Sequence, residues 1–458
     1  MTHLPYASQS GSPPLPPASV PPPPMEPPAN SGVRRLVAWA VILWCSGFVA
    51  VRVYQSYHRQ PLDITDPSKT HSVQLEIAAR YIIGAKEITK KLSPNTATTS
   101  LQDSIAELDK SAKTSVDKLR LTMLIAEISG SKPALDRLDD LSDHVKDPAL
   151  LDDIEILRTM YENPGATIPE AQRQRLIDRH GWFGSLAAMW DMRGPTPQRL
   201  ALISQSQRTV YSIFGFFAVI CLAALAGFIL LIIAIIWYFD GKIARAYSPL
   251  PGAPVPFLEA FAIWLGFYLL ISFIARKLSP NVLDHAWVYL LAMLLPPAAG
   301  LVWPRLCGID RGYWRAGLGW HAGRGVFREI GCGLLGYVTG LPIMILGFCI
   351  MIALTHLAKA NPTHPITEEM AGGMRQVFAG FVLACIYAPI VEESLFRGTL
   401  FHYLRGRHGW LVSACISSFL FAAIHPQGWT VVPVLFSIAF VFAAIREWRG
   451  SILCSAAA

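Results

Sequence analysis

Long apolar runs, each about the length of a membrane-spanning helix, dominate the second half of the 458-residue chain. Hydrophobic residues make up 52% of the chain and charged residues only 16%, against about 25% charged in a typical soluble domain. Because backbone polar groups inside a bilayer must be satisfied within the protein, such runs cross it as helices of about 20 residues. The sequence therefore predicts an all-α, polytopic membrane protein.

About nine of these runs are spaced along the chain as separate spans. No small-residue cleavage motif follows the first, at 34–52, so we predict an uncleaved membrane helix rather than a signal peptide. The fold class that we predict is a membrane helical bundle of about eight to nine transmembrane helices with an inserted soluble helical domain. The later spans, which form a membrane core at 209–458, are 210–239, 257–274, 286–302, 330–354, 377–391, 410–424, 431–445 and 452–458.

Two regions outside the membrane core have their own composition. Residues 1–33 are rich in proline, which favours polyproline II, so we predict a disordered tail, with a PxxP ligand as the alternative. Residues 53–208 carry apolar residues at helical spacing between breakers, which predicts a soluble domain of helical hairpins and a module for a protein partner. Its predicted elements are helices at 73–92, 115–129, 135–145, 150–161 and 168–177 and a surface turn at 180–184.

Most of the excess Lys and Arg lies in short connections between the runs. If every run crosses once, Arg34 and Arg35 fall on the same side as Arg405, Arg446 and Arg449, and the positive-inside rule makes that side the cytoplasm. This scheme places the 53–208 domain on the extracytoplasmic side of what we expect to be a bacterial plasma membrane. The +7 formal charge then needs no nucleic-acid partner. Neither a disulfide framework nor a Cys-x-x-Cys metal site is expected, because the eight cysteines lie in apolar runs or a short loop.

Three ionisable residues at the end of the 377–391 run carry the strongest functional signal. Ionisable groups at membrane depth are costly, and the default hypothesis for them is functional. Glu393 and Arg397 are four residues apart with the acid first, the favourable order for an ion pair on a helix. Glu392 is rotated by about 100° from Glu393, so it is less well placed for that arginine and is the better candidate for a general base. The alternative is a buried ion-pair cluster that sets helix packing.

A histidine one hairpin later complements these acids. His425 follows the 410–424 run and precedes Pro426, so it lies at the end of a helix that should neighbour the first. Taken alone it is equally a cap, but a carboxylate and an imidazole facing one cavity can deprotonate a water molecule. Neither a His-Glu-x-x-His motif nor a Gly-x-Ser-x-Gly elbow occurs, which excludes those two hydrolase types. Four other histidines are interpreted as solvated or interfacial: His356, His364, His402 and His408.

The pattern of these residues resembles a known family. Glu392-Glu393-x-x-x-Arg397 followed by Phe421-x-x-x-His425 is similar to the first two motifs of the CAAX-prenyl-protease and bacteriocin-processing (CPBP, or Abi) family, which are intramembrane proteases related to the Ras-converting enzyme. A Leu-Gly-Trp loop before the 330–354 span fits the pattern as well. The resemblance covers about 250–458 and leaves out the tail, the first helix and the 53–208 domain.

The resemblance implies an eight-helix core with a water-filled cavity, within the bilayer, that hydrolyses a peptide bond of a membrane-associated peptide or protein. In the family picture the first glutamate and the second-motif histidine, here Glu392 and His425, activate the water, while Glu393 and Arg397 support and orient them. Members are commonly labelled metalloproteases. We favour a metal-free site, and a zinc ion, if present, is expected among Glu392, Glu393 and His425.

A third motif, His-x-x-x-Asn, is also implied by the resemblance and is thought to stabilise the oxyanion. Its usual lead-in matches the residues 449–453, but the family spacing would put the histidine just beyond Ala458. We therefore expect a carboxyl-terminal truncation. The loss of one oxyanion donor typically costs about 100- to 1000-fold in rate.

Two other classes of function stay open at the level of sequence. One is a non-catalytic membrane scaffold or immunity-type protein of the same fold that signals through the 53–208 domain. The other is a transporter, in which acids also occur in broken helices, although we detect no inverted repeat. Neutralising the acidic pair without loss of phenotype would favour the scaffold.

Overall fold

The computed structural model describes residues 31–58, 68–92, 104–109, 112, 114–163, 168–190, 196–248, 254–278, 286–358, 374–425 and 427–458. The regular elements of these residues are helical, without a strand among them. Six helices of the described chain are long and apolar enough to cross a membrane. The predicted all-α membrane fold is confirmed, and the count of eight to nine spans stays a prediction. Residues 1–30 of the predicted tail lie outside the described residues.

The region between the first two spans folds into the helical hairpins that the sequence predicts. Polar caps at breaker positions start its helices: the Thr114 side chain accepts from the Asp117 N–H, and the Asp147 side chain accepts from the Ala149 N–H ahead of a proline in the first turn. After α1, Ser31–His58, come α2 Ser68–Leu92, α3 Ser115–Ser129, α4 Ser131–His144, α5 Pro148–Glu162, α6 Glu170–His180 and α7 Trp182–Ala188.

The predicted surface turn at 180–184 is wrong. Only Gly181, with a positive φ of 58°, makes the turn, and α7 begins immediately after it. His180, Trp182 and Phe183 are all buried in the core of the domain. The segment is too short for its sequence to show a helical period. The packing of α6 against α7 decided the burial of the Trp182 and Phe183 rings.

A single long helix, α8 at Pro197–Phe239, joins this domain to the membrane core. Its 43 residues extend about 65 Å at 1.5 Å per residue, about twice the roughly 30 Å hydrocarbon thickness. Near its start it packs closely against α2, where a side chain at Gly84 would collide with the Ser206 carbonyl. The predicted domain boundary at 208/209 therefore falls inside a continuous helix.

The helix α12 is lined by glycines on the face that meets the last two helices. Side chains at Gly333, Gly336, Gly340 or Gly347 would collide with the last two helices, α15 and α16, so their absence allows the close helix approach typical of membrane bundles. The elements after α8 are α9 Val255–Leu278, α10 Ala286–Leu306, α11 Arg311–Leu318, α12 Val326–Leu357, α13 at 374–405, α14 Trp410–Ala423, α15 Val432–Arg449 and α16 Ile452–Ala457.

The helix α13, which bears the two glutamates, is widened twice. Two π-helical segments, Leu383–Tyr387 and Glu393–Leu400, flank the α-helical turn Ala388–Glu392. Pro389 has no N–H and its ring would clash with the carbonyl four residues earlier, which a wider turn avoids; the Ala388 N–H accordingly bonds to the carbonyl of Leu383, five residues back. Such segments are frequent at functional sites. Sequence reasoning missed them, and Pro389 was the available signal.

Candidate active site

A buried ion pair lies at the centre of the motif region. The Arg397 Nη1 atom lies 2.9 Å from the Glu393 Oε1 atom, and only 1% and 2% of these residues are exposed. The ion pair predicted from their spacing is therefore present. The Nη2 atom of Arg397 also donates to the Ala439 carbonyl at 2.8 Å. The bond to Ala439 holds α13 against α15, while breaking the enclosed pair within α13 would leave an uncompensated charge.

Aromatic rings enclose the Arg397 guanidinium. Its carbon Cζ lies 5.3 Å from the centre of the Phe421 ring and 5.5 Å from that of Phe442, distances at which a cation is attracted to the ring face. The Phe396 ring meets the Phe421 ring edge-on at 5.0 Å. The arginine of the first motif thus contacts the phenylalanine of the second.

His425 follows directly on this aromatic contact, just past the end of α14. Its Nδ1 atom lies 2.5 Å from the Phe421 carbonyl oxygen, and the two rings are 4.3 Å apart. A carbonyl only accepts, so Nδ1 carries the hydrogen, and in the neutral imidazole Nε2 is then the acceptor nitrogen. His425 is half-buried, as a group that exchanges protons with water must be.

The two neighbouring glutamates have different surroundings. Glu393 is enclosed with its arginine, whereas Glu392 is half-buried and, among the described residues, forms no hydrogen bond or ion pair. The structure therefore links Glu393, Arg397, Phe421 and His425 by successive contacts, and it joins Glu392 to them through the backbone of α13. The catalytic roles of Glu392 and His425 stay predictions.

The donor set does not match a metal centre. Within the described ranges there is no group of three His, Cys, Asp or Glu side chains suited to hold a metal ion. Glu393 is already engaged by Arg397. Since a catalytic zinc site takes three protein ligands, the residues present do not fit the zinc ion that the family label implies.

Two residues that the sequence predicts to be solvent-exposed, His402 and Arg446, are buried in the structure. His402 is not solvated: it is 3% exposed, and its Nδ1 atom lies 2.6 Å from the Tyr247 hydroxyl. Arg446 is not a loop cation but is fully enclosed at the end of α15. Both lie on helices that continue past the apolar run, and for His402 the signal was the lack of any breaker before Gly406. His356 and His408 are exposed, as predicted, and His364 lies outside the described residues.

Comparisons with known proteins identify the same family. Residues 374–458 match the family model described as type II CAAX prenyl endopeptidase Rce1-like. The chain is also 26% identical over 121 residues to the membrane-embedded CAAX protease MroQ of Staphylococcus aureus (strain USA300). That alignment covers 25% of this chain and 47% of MroQ, so the chain spans about half the length of this curated relative. No solved structure gives a significant match.

The family match and the apolar helices agree on the class of protein. The match begins at the start of α13 and includes the acidic pair, the arginine, the phenylalanine and the histidine of both motifs. The resemblance inferred from the sequence is confirmed. The chain is an integral membrane protein, and its residues 374–458 are similar to the Rce1-like CAAX prenyl endopeptidase family.

Proposed function

We propose that this protein is an intramembrane endopeptidase that hydrolyses a peptide bond in a membrane-associated peptide or protein. The observation that carries the proposal is the run of contacts from Glu393 through Arg397 and Phe421 to His425. It fixes the acidic segment of α13 against the end of α14, so that an acid and an imidazole share one region of the membrane core. That is the arrangement that activation of a water molecule requires.

The hydrolysis follows from the hydrogen bonding of His425. Its Nε2 atom, the acceptor nitrogen, takes a proton from a water molecule that the Glu392 carboxylate holds and polarises. The resulting hydroxide oxygen bonds to the carbonyl carbon of the scissile peptide and gives a tetrahedral intermediate. The proton then passes to the leaving nitrogen, the C–N bond breaks, and a carboxyl and an amino terminus are released.

Glu393 and Arg397 act as support in this scheme. Enclosed on all sides, they do not reach the water, but Arg397 joins α13 to α14 through the ring contact with Phe421 and to α15 through the bond to Ala439. The ion pair with Glu393 keeps the arginine in place within α13. Groups held in position by packing and charge need little rearrangement during the reaction.

The domain of α2–α7 would recruit or gate the substrate. The continuous α8 and its close contact with α2 at Gly84 couple this domain to the membrane core. From the loop charges we place it on the extracytoplasmic side of a bacterial plasma membrane.

The decisive experiment compares Glu392→Gln and His425→Gln with the wild type, each as the full chain in lipid nanodiscs. The probe is an internally quenched peptide chosen from a randomised pool for cleavage by the wild type. Loss of a general base typically costs about 100- to 10,000-fold, so both variants should lose at least about 100-fold in kcat/KM. His408→Gln, in an exposed loop, is the matched control and should retain wild-type activity.

Full activity of both variants, or no cleavage of any peptide pool by the wild type, would contradict the proposal and favour the non-catalytic membrane scaffold.

A chelator series on the same quenched peptide tests whether the reaction depends on a metal ion. Because the site residues do not form a three-ligand set, 1,10-phenanthroline is expected to leave the rate unchanged. A loss of activity that is restored by added zinc would contradict this expectation.

A further inference from the structure

Arg446 is an enclosed cation that the mechanism above does not use. It lies near the end of α15 that the charge scheme places toward the cytoplasm. Arg446 has no exposed surface, and its Nη2 atom donates to the Gly317 carbonyl at 3.0 Å. Its guanidinium carbon lies 4.8 Å from the centre of the Tyr247 ring. Among the described residues no carboxylate comes within ion-pair distance of it, and its Nε and Nη1 atoms have no hydrogen-bond partner. Burying such a charge costs several kcal/mol, so its location calls for a role.

Arg446 packs under a tight turn at 317–320. Helix α11 ends at Leu318, and Gly319 takes a left-handed conformation with a φ of 81°. A side chain on Gly319 would collide with the guanidinium, so the glycine is required by the backbone and by the arginine alike. The turn is therefore shaped to fit directly against Arg446.

The same turn contacts the helix of the acidic pair at two positions that follow Glu393, namely Ser394 and Gly398. The Trp320 Nε1 atom donates to the Ser394 hydroxyl at 3.0 Å, and that hydroxyl donates to the Ile390 carbonyl at 2.7 Å. One turn further on, the Leu318 carbonyl lies 2.9 Å from where a side chain on Gly398 would begin. The turn thus fixes the π-helical segment that carries Glu393 and Arg397.

The other face of the turn is fastened to the segment between α15 and α16. The Ile452 N–H donates to the Gly319 carbonyl at 3.2 Å, and the Ser451 hydroxyl donates to the His321 carbonyl at 2.6 Å. Nearby, Arg449 forms a two-pronged ion pair with Glu329, at 3.0 and 2.6 Å. One turn therefore joins α13, α15 and the start of α16, and Arg446 is the charge beneath it.

We propose that Arg446 is a positioning residue for peptide hydrolysis, which acts through the 317–320 turn to hold the Glu392-bearing helix in register with α15 and α16. This inference rests on the proposed function. It follows from the geometry that the loss of Arg446 loosens the turn and displaces the acids from the water and the scissile bond. A displacement of about 1 Å can cost on the order of 100-fold in rate.

The test uses the quenched peptide described above and hydrogen–deuterium exchange on the full chain in nanodiscs. Arg446→Gln should lower kcat by about 10- to 100-fold while KM changes by less than about twofold, because no substrate contact is removed. Amide exchange should rise at 317–323 and at Ile452 and stay unchanged in α3 to α5. Arg311→Gln, an exposed arginine on the helix that leads into the turn, is the matched control and should match the wild type in both measurements.

Two milder variants keep the test decisive even if Arg446→Gln does not fold. Arg446→Lys keeps the charge but places its donors on a single nitrogen, so it should recover part of kcat. Trp320→Phe keeps an aromatic ring and removes the hydrogen bond to Ser394 together with part of the packing against Trp314. It should lower kcat in the same direction by a smaller factor, with exchange increased at the turn.

The outcomes separate this inference from the proposed function. Normal kcat in Arg446→Lys and Trp320→Phe together with inactive Glu392→Gln would overturn the role of Arg446 and leave the protease intact. Unchanged exchange at the turn, or a rise in KM without a fall in kcat, would overturn it as well. Absence of cleavage by the wild type would instead overturn the proposed function, and the inference with it.

Discussion

The outer helical domain and the membrane core both enclose apolar side chains, but they differ in the charges that they bury. The core of the outer domain is mostly apolar, with fully enclosed residues such as Leu124, Leu157 and Phe183. In the membrane core the largest enclosed side chains include Arg397 and Arg446, while α8 presents a row of exposed phenylalanines and leucines. In water the hydrophobic effect selects apolar interiors. In lipid the surroundings are themselves apolar, so close packing and polar pairing decide what lies inside.

The largest expected effect comes from breaking the enclosed pair of the membrane core. Arg397→Ala leaves the Glu393 carboxylate buried without its partner, which should cost about 3–5 kcal/mol of stability. Thermal unfolding of the full chain in detergent measures the loss, and Arg311→Ala, at an exposed position, is the control. Because replacing both charges by apolar groups is often neutral, the double variant Glu393→Leu/Arg397→Met should be more stable than Arg397→Ala. A double variant that is less stable would contradict this account.

A leucine pair sharpens the comparison between the two regions. Leu157→Ala empties a fully enclosed site in the outer domain and should cost about 2–5 kcal/mol. Leu222→Ala, at a position on α8 that is 66% exposed, should change stability by less than about 0.5 kcal/mol in detergent. A denaturant titration of the full chain, monitored by amide hydrogen exchange at α5 and at α8, compares the two variants. Equal losses would mean that α8 is covered by protein rather than by lipid.

Two glycines of α12 isolate the contribution of close packing. A methyl group at Gly333 would collide with the Cys454 carbonyl of α16, whereas at Gly331 it would meet no atom within 4 Å. Gly333→Ala should therefore cost about 1–3 kcal/mol, while Gly331→Ala should be neutral or stabilise by up to about 1 kcal/mol through helix propensity. The difference in melting temperature between these two variants is the measurement. A tolerated Gly333→Ala would show that α16 is not tightly packed.

The smallest effect concerns pH and involves His180 of the outer domain. Burial lowers the pKa of His180 below its ordinary value of 6.5; Arg120 and Arg179 lower it further, and the hydrogen bond to Asp153 opposes the shift. The unfolded chain then binds a proton more readily, so this stability is fully present above about pH 6.5 and is lost as the pH falls through the folded value. The amide protection factors in α3 to α7 should be lower at pH 5 than at pH 7, and the decrease should be smaller in His180→Gln. A decrease confined to the membrane helices would contradict the assignment.

Most helix positions and the ion pair of the first motif followed from local rules that need no tertiary information. Breakers and caps such as Thr114 and Asp147 start helices wherever they occur, and a charge in an apolar run is visible in the sequence. The spacing of Glu393 and Arg397 was enough to predict their ion pair, because both lie on one helix. The family pattern of residues 392–425 was readable for the same reason.

Burial of individual polar residues was decided by the tertiary structure. His402 and Arg446 have the sequence setting of loop residues, yet packing against Tyr247 and the 317–320 turn encloses them. The aromatic residues of α7 were misjudged for the same reason, since which face of a short helix turns inward depends on its neighbours. By itself the sequence determined which groups the chain has and where its helices lie. Only the tertiary structure decided which charges lose contact with solvent, because desolvation depends on every element packed around a group and not on its own helix.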